Sequence, residues 1–239
     1  MTLPVVREGT VVSATPLTEG ATQLVLQVDA RIAQSAVPGR FVLAVPARST
    51  DPYLPRPLWV RRQRSDRLAL VVQRGARGCE WLAASLPGAT VHFIGPVGRS
   101  FDLPPRTGHL LIGCDVAGLN AALSLVDAAA ERAAVSLIPL GIDATALAPA
   151  LPPDVELLGT LDATALAWAD AFYCIASPRD VQRAFGVLRS TTSRVPAFGV
   201  PQVPYACGVG VCGGCGVETR EGVRLSCVDG PAFPLRELR

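Results

Sequence analysis

Cys207-Gly208-Val209-Gly210-Val211-Cys212-Gly213-Gly214-Cys215, followed after eleven intervening residues by Cys227, decides the reading of this chain. The spacing is C-x4-C-x2-C-x11-C. Three thiolates so close in sequence wrap one compact metal object only if the backbone turns tightly. Glycine allows such turns, because it tolerates positive φ and lets the chain approach closely. A glycine-rich loop also aims backbone N–H groups at the sulfurs, which stabilises the negative charge of a thiolate-ligated cluster. The spacing is that of plant-type [2Fe–2S] centres. Structural zinc usually takes ligands as two close pairs along the sequence, whereas the grouping here is three plus one. Disulfides are the third alternative, and the odd count of seven cysteines argues against full pairing. Unliganded buried thiols would leave the glycines without a purpose. The metal ligands are therefore expected to be Cys207, Cys212, Cys215 and Cys227. The remaining cysteines, Cys79, Cys114 and Cys174, lie scattered in apolar surroundings and read as small buried hydrophobes.

The cluster segment, expected over residues 200–239, is too short to bury a core without a metal or a covalent staple. A proline-rich linker, Pro196 to Pro204, leads into it. Upstream, strands alternate with helices. Leu110–Gly113, Val135–Pro139, Val155–Leu158 and Ala171–Ile175 read as strands, with Val195–Phe198 as a further strand closing the sheet. Ala117–Arg132, Ala163–Ala169 and Arg179–Arg189 read as helices. This predicts a parallel α/β domain over residues 104–199, with helices on both faces. The stretch Leu140–Leu151 has no clear period. Residues 1–103 read as mostly β: Thr10–Ala14, Gln23–Val28, Phe41–Val45, Leu58–Arg62, Leu68–Gln73 and Val91–Ile94 are short strands separated by turns. A small barrel is expected, interrupted by one short helix, Glu80–Leu86, which Pro87-Gly88 ends.

Hydrophobic residues make up 49% of the 239 and charged residues 18%, so a chain of this length buries sizeable cores and disorder is not expected. A net charge of +2 gives no reason to expect nucleic acid or an acidic membrane surface as partner. The N-terminal stretch Met1–Thr10 lacks the basic start and apolar core of a signal peptide. The most apolar region, Ala133 to Leu151, is broken by Pro139, Asp143 and Pro149 and does not read as a membrane span. A cytoplasmic protein is expected.

The tail, with Cys227-Val-Asp-Gly-Pro231-Ala-Phe233, resembles the electron-transfer subunits of the two-subunit, NAD-linked dihydroorotate dehydrogenases, within the ferredoxin–NADP reductase superfamily. The resemblance is specific at the cysteines and extends through the chain as an architecture. It implies a multi-domain β plus α/β protein: a flavin-binding-type β-barrel, a nucleotide-binding-type parallel domain and the [2Fe–2S] segment. It also implies FAD and a separate catalytic dihydroorotate dehydrogenase subunit, assembled as a heterotetramer. In such proteins electrons pass from the partner through the cluster to FAD and on to NAD.

The resemblance assigns the flavin site residue by residue. Arg56-Pro57-Leu58-Trp59 matches the family's Arg-Pro-x-Ser/Thr strand motif at its first two positions, where the arginine contacts the FAD diphosphate. The planar fork of arginine suits phosphate. Val71-Val72-Gln73 aligns with the strand that lies against the flavin ring. Gly78-Cys79 aligns with the family's Gly-Thr or Gly-Ser at the start of the short helix. Gly95-Pro-Val-Gly98 matches the turn that ends the barrel. Two positions depart from the motif. Trp59 replaces a hydroxyl residue, and either stacks on the isoalloxazine or fills its space. Cys79 replaces a threonine.

The nucleotide turn departs further. The family's glycine-rich turn reads here Gly113-Cys114-Asp115-Val116-Ala117-Gly118. Asp115 sets a carboxylate where a dinucleotide diphosphate would approach, and like charges repel. The family's Cys-Gly-Pro reads here Cys174-Ile175-Ala-Ser-Pro178. These changes predict weak or lost NAD(H) binding. No Ser/His/Asp or paired-carboxylate site is found, and His92 and His109 read as structural. Three readings follow. The chain is an electron-transfer subunit with FAD and [2Fe–2S], a cluster-bearing accessory subunit that has lost flavin or nicotinamide binding, or a sibling subunit of a hydrogenase or a ferredoxin-linked NAD(P)H reductase.

Overall fold

The computed structural model describes residues 5–45 and 54–239. Met1–Pro4 of the N-terminal stretch considered above lie outside them. The first half forms a closed six-stranded barrel in the order β1-β2-β5-β4-β3-β6. Its elements are β1 (Val6–Thr18), β2 (Ala21–Gln27), α1 (Ala30–Ser35), β3 (Phe41–Val45), β4 (Arg56–Arg64), β5 (Arg67–Gln73), α2 (Arg77–Ala83) and β6 (Thr90–Val97). All barrel pairings are antiparallel. Alternation along the strands sends Leu24, Leu26, Val42, Leu58, Val60, Leu70, Val72 and Phe93 into the barrel. The intervening Phe41, Leu43 and Trp59 point outward, yet they too are buried. These strands therefore read as near-continuous apolar runs, because both faces are covered.

The second half is a sheet in the order β14-β11-β10-β7-β8-β9. It contains β7 (His109–Cys114), α3 (Leu119–Ala129), β8 (Ala134–Pro139), α4 (Ala144–Leu147), β9 (Glu156–Leu157), α5 (Ala163–Trp168), β10 (Ala171–Ala176), α6 (Pro178–Ser190) and β11 (Ala197–Pro201). These strands run parallel. Leu110 and Ile112 face α3, and Leu111 and Phe172 face α5 and α6, so helices cover both sides. The C-terminal segment adds the hairpin β12 (Gly216–Thr219) and β13 (Gly222–Leu225), then β14 (Phe233–Pro234). Strand β14 pairs antiparallel with β11, so the tail is built into the sheet.

Several details differ from the sequence reading. Helix α1 was not expected. It has only six residues and is started by Asp29, whose carboxylate accepts from the Arg31 N–H at 2.8 Å. Helix α2 starts three residues earlier than expected and ends earlier too. The stretch without a clear period, Leu140–Leu151, holds the short α4, capped by Asp143, and a 3-10 turn over Ala148–Ala150.

Helix α3 joins the two halves. Every residue from Leu119 to Val126 is buried, because the parallel sheet covers one side of the helix and the barrel strand β4 the other. The Ser124 hydroxyl donates to the Val60 carbonyl. Asp127, with its side chain 2% exposed, pairs with both Arg61 and Arg62 of β4. Arg61 also donates to the Ala150 carbonyl at 2.9 Å.

Removing one partner of a buried pair leaves the other charge uncompensated, which costs about 3–5 kcal/mol. Asp127→Ala is expected to destabilise the chain by that amount in chemical denaturation. A loss below about 1 kcal/mol would show that this contact does not hold the two halves together.

Candidate metal centre and its neighbouring clefts

The cysteine loop turns as its glycines require. Gly208, Gly210 and Gly213 have φ of 69°, 78° and 70°, a region costly for side-chain-bearing residues. At Gly208 a Cβ would also meet the Leu43 side chain at 3.0 Å, so the loop lies directly on the barrel. Backbone bonds fix the segment further. The Gly98 N–H donates to the Cys227 carbonyl at 3.1 Å and the Arg99 N–H to the Gly230 carbonyl at 2.7 Å.

None of the seven cysteines is paired in a disulfide. The four expected ligands gather as two pairs. The Sγ atoms of Cys215 and Cys227 are 3.2 Å apart and buried, while the Cys212 side chain, at the exposed end, lies close enough to Cys207 to lower its thiol. Among the described residues no three His, Cys, Asp or Glu side chains converge tightly enough for a single metal ion. Two thiol pairs suit a two-iron centre, which takes two thiolates per iron.

Backbone N–H groups point at the sulfurs. The Gly214 N–H lies 3.4 Å from the Cys212 sulfur. Burial raises the Cys207 thiol, but the N–H groups of Val209, Cys212 and Val211 and the Cys212 side chain outweigh it, holding the thiol down at about 6. Cys227 is pushed up to about 12 by burial and by the neighbouring Cys215, against an N–H from Gly210. The donor set and its N–H lining fit a [2Fe–2S] cluster. Cys114 and Cys174 are buried in the sheet, and burial pushes Cys114 up to about 12. Cys79 is only half-buried.

At the barrel, the residues assigned to FAD separate into two ends. Arg56 lies beside Cys79: burial raises that thiol, and the guanidinium within hydrogen-bonding reach acts in the opposite sense. The Arg56 Nε is buried without a partner among the described residues, and Nη1 donates to the Leu54 carbonyl at 3.0 Å. Gly78 and Cys79 lie in the first turn of α2, whose Ala76 N-cap offers no side-chain bond. This end fits an anionic group. The strand face does not offer the same room. Trp59 stands opposite Val71 in the β4–β5 register, and both are buried, at 3% and 0% exposure. The Trp59 ring centroid lies 4.9 Å from Phe41 and 6.2 Å from Phe101, the latter stacked at 9°. Leu58 and Val72 point into the barrel, so they reach outward only through backbone. Pro57 and Gln73 are partly buried at the strand ends.

Sequence reasoning missed the residues that complete this packing. Tyr205, two residues before the first ligand, lies 4.4 Å from Phe41 and hydrogen-bonds Ser226 at 2.8 Å, beside Cys227. Phe101 continues the row to Tyr173. Nothing in local spacing links Phe41, Trp59, Phe101 and Tyr205.

The crevice at the ends of β7 and β10 is occupied by the protein itself. Asp115 is buried, and its Oδ1 accepts from the Gly118 N–H at 2.8 Å while Oδ2 accepts from the Ser177 N–H at 2.7 Å. The carboxylate therefore takes up N–H groups at the starts of both α3 and α6, where a diphosphate would need them. At Gly118 a Cβ would lie 1.7 Å from the Ile175 carbonyl oxygen, so helix and strand are in closest contact there. Ser177 was also missed, although Ser177-x-x-Asp180 is a legible helix cap. His92 pairs with Glu8 and His109 with Asp170, both away from these sites.

Residues 205–239 match the family model described as the iron–sulfur cluster binding domain of dihydroorotate dehydrogenase B. The electron transfer subunit of dihydroorotate dehydrogenase B (NAD(+)) from Desulforamulus reducens is 25% identical, the match covering 85% of this chain and 87% of the relative. That from Geobacillus kaustophilus is 28% identical, over 84% and 86%. Among solved structures, an NADH-dependent reduced ferredoxin–NADP oxidoreductase superimposes with a TM-score of 0.74 at 17% identity, covering 100% of this chain and 90% of that one. The ferredoxin reductase of carbazole 1,9a-dioxygenase gives 0.58 at 20% identity, over 80% and 64%. The chain thus has the ferredoxin–NADP reductase fold, is similar over most of its length to the electron transfer subunits of dihydroorotate dehydrogenase B, and matches over residues 205–239 the iron–sulfur cluster binding domain of those proteins.

Proposed function

We propose that this chain is the electron-transfer subunit of a dihydroorotate dehydrogenase of pyrimidine biosynthesis, moving electrons from a catalytic partner chain through a [2Fe–2S] cluster on Cys207, Cys212, Cys215 and Cys227. The observation that carries this reading is the pairing of the four thiols within an N–H-lined glycine loop, on the residues that match the cluster domain. Barrel, α/β and cluster units over 1–103, 104–199 and 200–239, a heterotetramer with two catalytic partners, and a cytoplasmic location belong to the same reading. In keeping with it, no helix among the described residues is long and apolar enough to cross a membrane.

This chain's residues hold the cluster in place and tune its surroundings. The loop N–H groups favour thiolate over thiol at Cys207. Tyr205 and Ser226 pack beneath the buried pair. When bound, the cluster supplies single-electron transfer, accepting and releasing one electron at a time. In the full form of the reading, an FAD would exchange those electrons with the cluster, and the resemblance gives Arg56, Gly78 and Cys79 to its phosphate end and the outer faces of β4 and β5 to its ring. A second reading, an accessory subunit without nicotinamide chemistry, is favoured by Asp115, whose two oxygens already hold the N–H groups of Gly118 and Ser177.

Anaerobically purified protein is expected to contain about two iron and two acid-labile sulfides per chain and to give an EPR signal when reduced. Cys212→Ser should abolish that signal. Zinc without labile sulfide would overturn the cluster assignment. Stoichiometric NADH is expected to leave the protein's visible spectrum unchanged within the time that dithionite reduces it fully. Rapid bleaching by NADH would show that Asp115 does not close the nucleotide crevice.

A further inference from the structure

The resemblance sets a flavin ring against the outer faces of β4 and β5. The path from the cluster segment runs from Tyr205 to Phe41 at 4.4 Å and on to Trp59 at 4.9 Å. That place is filled. Trp59 is 3% exposed, Phe41 and Val71 are fully buried, and Phe101 closes the far side of the indole. The filling is held from outside as well. Helix α3 lies on β4, its Ser124 bonded to the Val60 carbonyl next to Trp59, and Asp127 clamps the two residues that follow. An isoalloxazine could enter only by displacing the indole from a close-packed interior, and such interiors have no spare volume. At the other end, the Nε of the Arg56 guanidinium is buried and has no partner among the described residues, so an anion could meet it. Of the positions the resemblance gives to FAD, the phosphate end keeps its arginine and the ring end is filled.

We infer that Trp59 plugs the flavin-ring position, so that the cluster is the sole redox centre of this chain and its electrons leave singly to a one-electron carrier rather than as hydride to a nicotinamide. The inference rests on the cluster reading above. The electron count follows from it. Oxidation of a two-electron substrate in the partner chain releases two electrons and two protons. The protons pass to solvent from the partner. A cluster held by Cys207, Cys212, Cys215 and Cys227 would pass these electrons on one at a time, so two one-electron carriers would be reduced per substrate. A hydride acceptor needs both electrons together, and a single cluster cannot store them.

The test uses the full chain purified anaerobically with its cluster intact. Wild type and Trp59→Ser are incubated with FAD, freed of unbound ligand, and assayed for acid-released flavin against iron. Wild type is expected to hold well under one FAD per cluster, and Trp59→Ser to bind FAD about tenfold or more tightly than wild type. Stoichiometric FAD in wild type overturns the inference. Equal affinity in the two proteins, both folded by circular dichroism, overturns the assignment of the block to Trp59. Phe101→Leu provides a second opening of the same space. It is expected to shift FAD affinity in the same direction, and unchanged binding in both variants rejects the plug. A chain that lacks iron altogether would instead count against the cluster reading, so the two failures are distinguishable.

Discussion

The packing of α3 against β4 is the contact on which the rest of the molecule depends. The helix is held along its length. Its start is pinned by Asp115 and by the close approach of Gly118 to Ile175, its middle by Ser124 on the Val60 carbonyl, and its end by Asp127 between Arg61 and Arg62. The barrel and the α/β half meet along this helix. Here apolar side chains and a buried ion pair occupy that interface. The closure of the nucleotide crevice and the burial of Trp59 are two ends of one packing arrangement, since the same helix bounds both.

The cluster segment depends on this arrangement in turn. It has too little chain to bury a core alone, and takes its support from both halves. The barrel offers Leu43 under Gly208 and the backbone of Gly98 and Arg99, and the sheet offers β11 as a partner for β14. The buried thiol pair, Cys215 and Cys227, faces this support, while Cys212 is left at the surface. One edge of the centre is therefore anchored and the other is open to exchange with a partner.

Much of this was legible in the sequence, for identifiable physical reasons. The cysteines were readable because ligand spacing is local and the glycines between them have few other uses. The parallel sheet was readable because Leu110–Gly113 and Ala171–Ile175 are covered on both faces and alternate with helices. Asp115 was readable as an intruder in a glycine-rich turn, although the sequence suggested repulsion and the structure shows the carboxylate satisfying two N–H groups of its own chain. Helix α1 was not legible, since six residues carry too little periodicity. Nor was the role of Trp59, which the motif left between stacking on a ring and filling its space. That depends on Phe41, Phe101 and Tyr205, far apart in sequence and brought together only by the fold. Leu58 and Val72 share a motif with their neighbours but point into the barrel, a consequence of strand alternation that motif matching ignores.

Counting electrons tests the account most directly. The cluster-replete chain, purified anaerobically and titrated with dithionite, should take up about one electron per chain if Trp59 keeps flavin out as inferred, because a [2Fe–2S] cluster accepts one. Uptake of about three, with the loss of a flavin spectrum alongside that of the cluster, would contradict it.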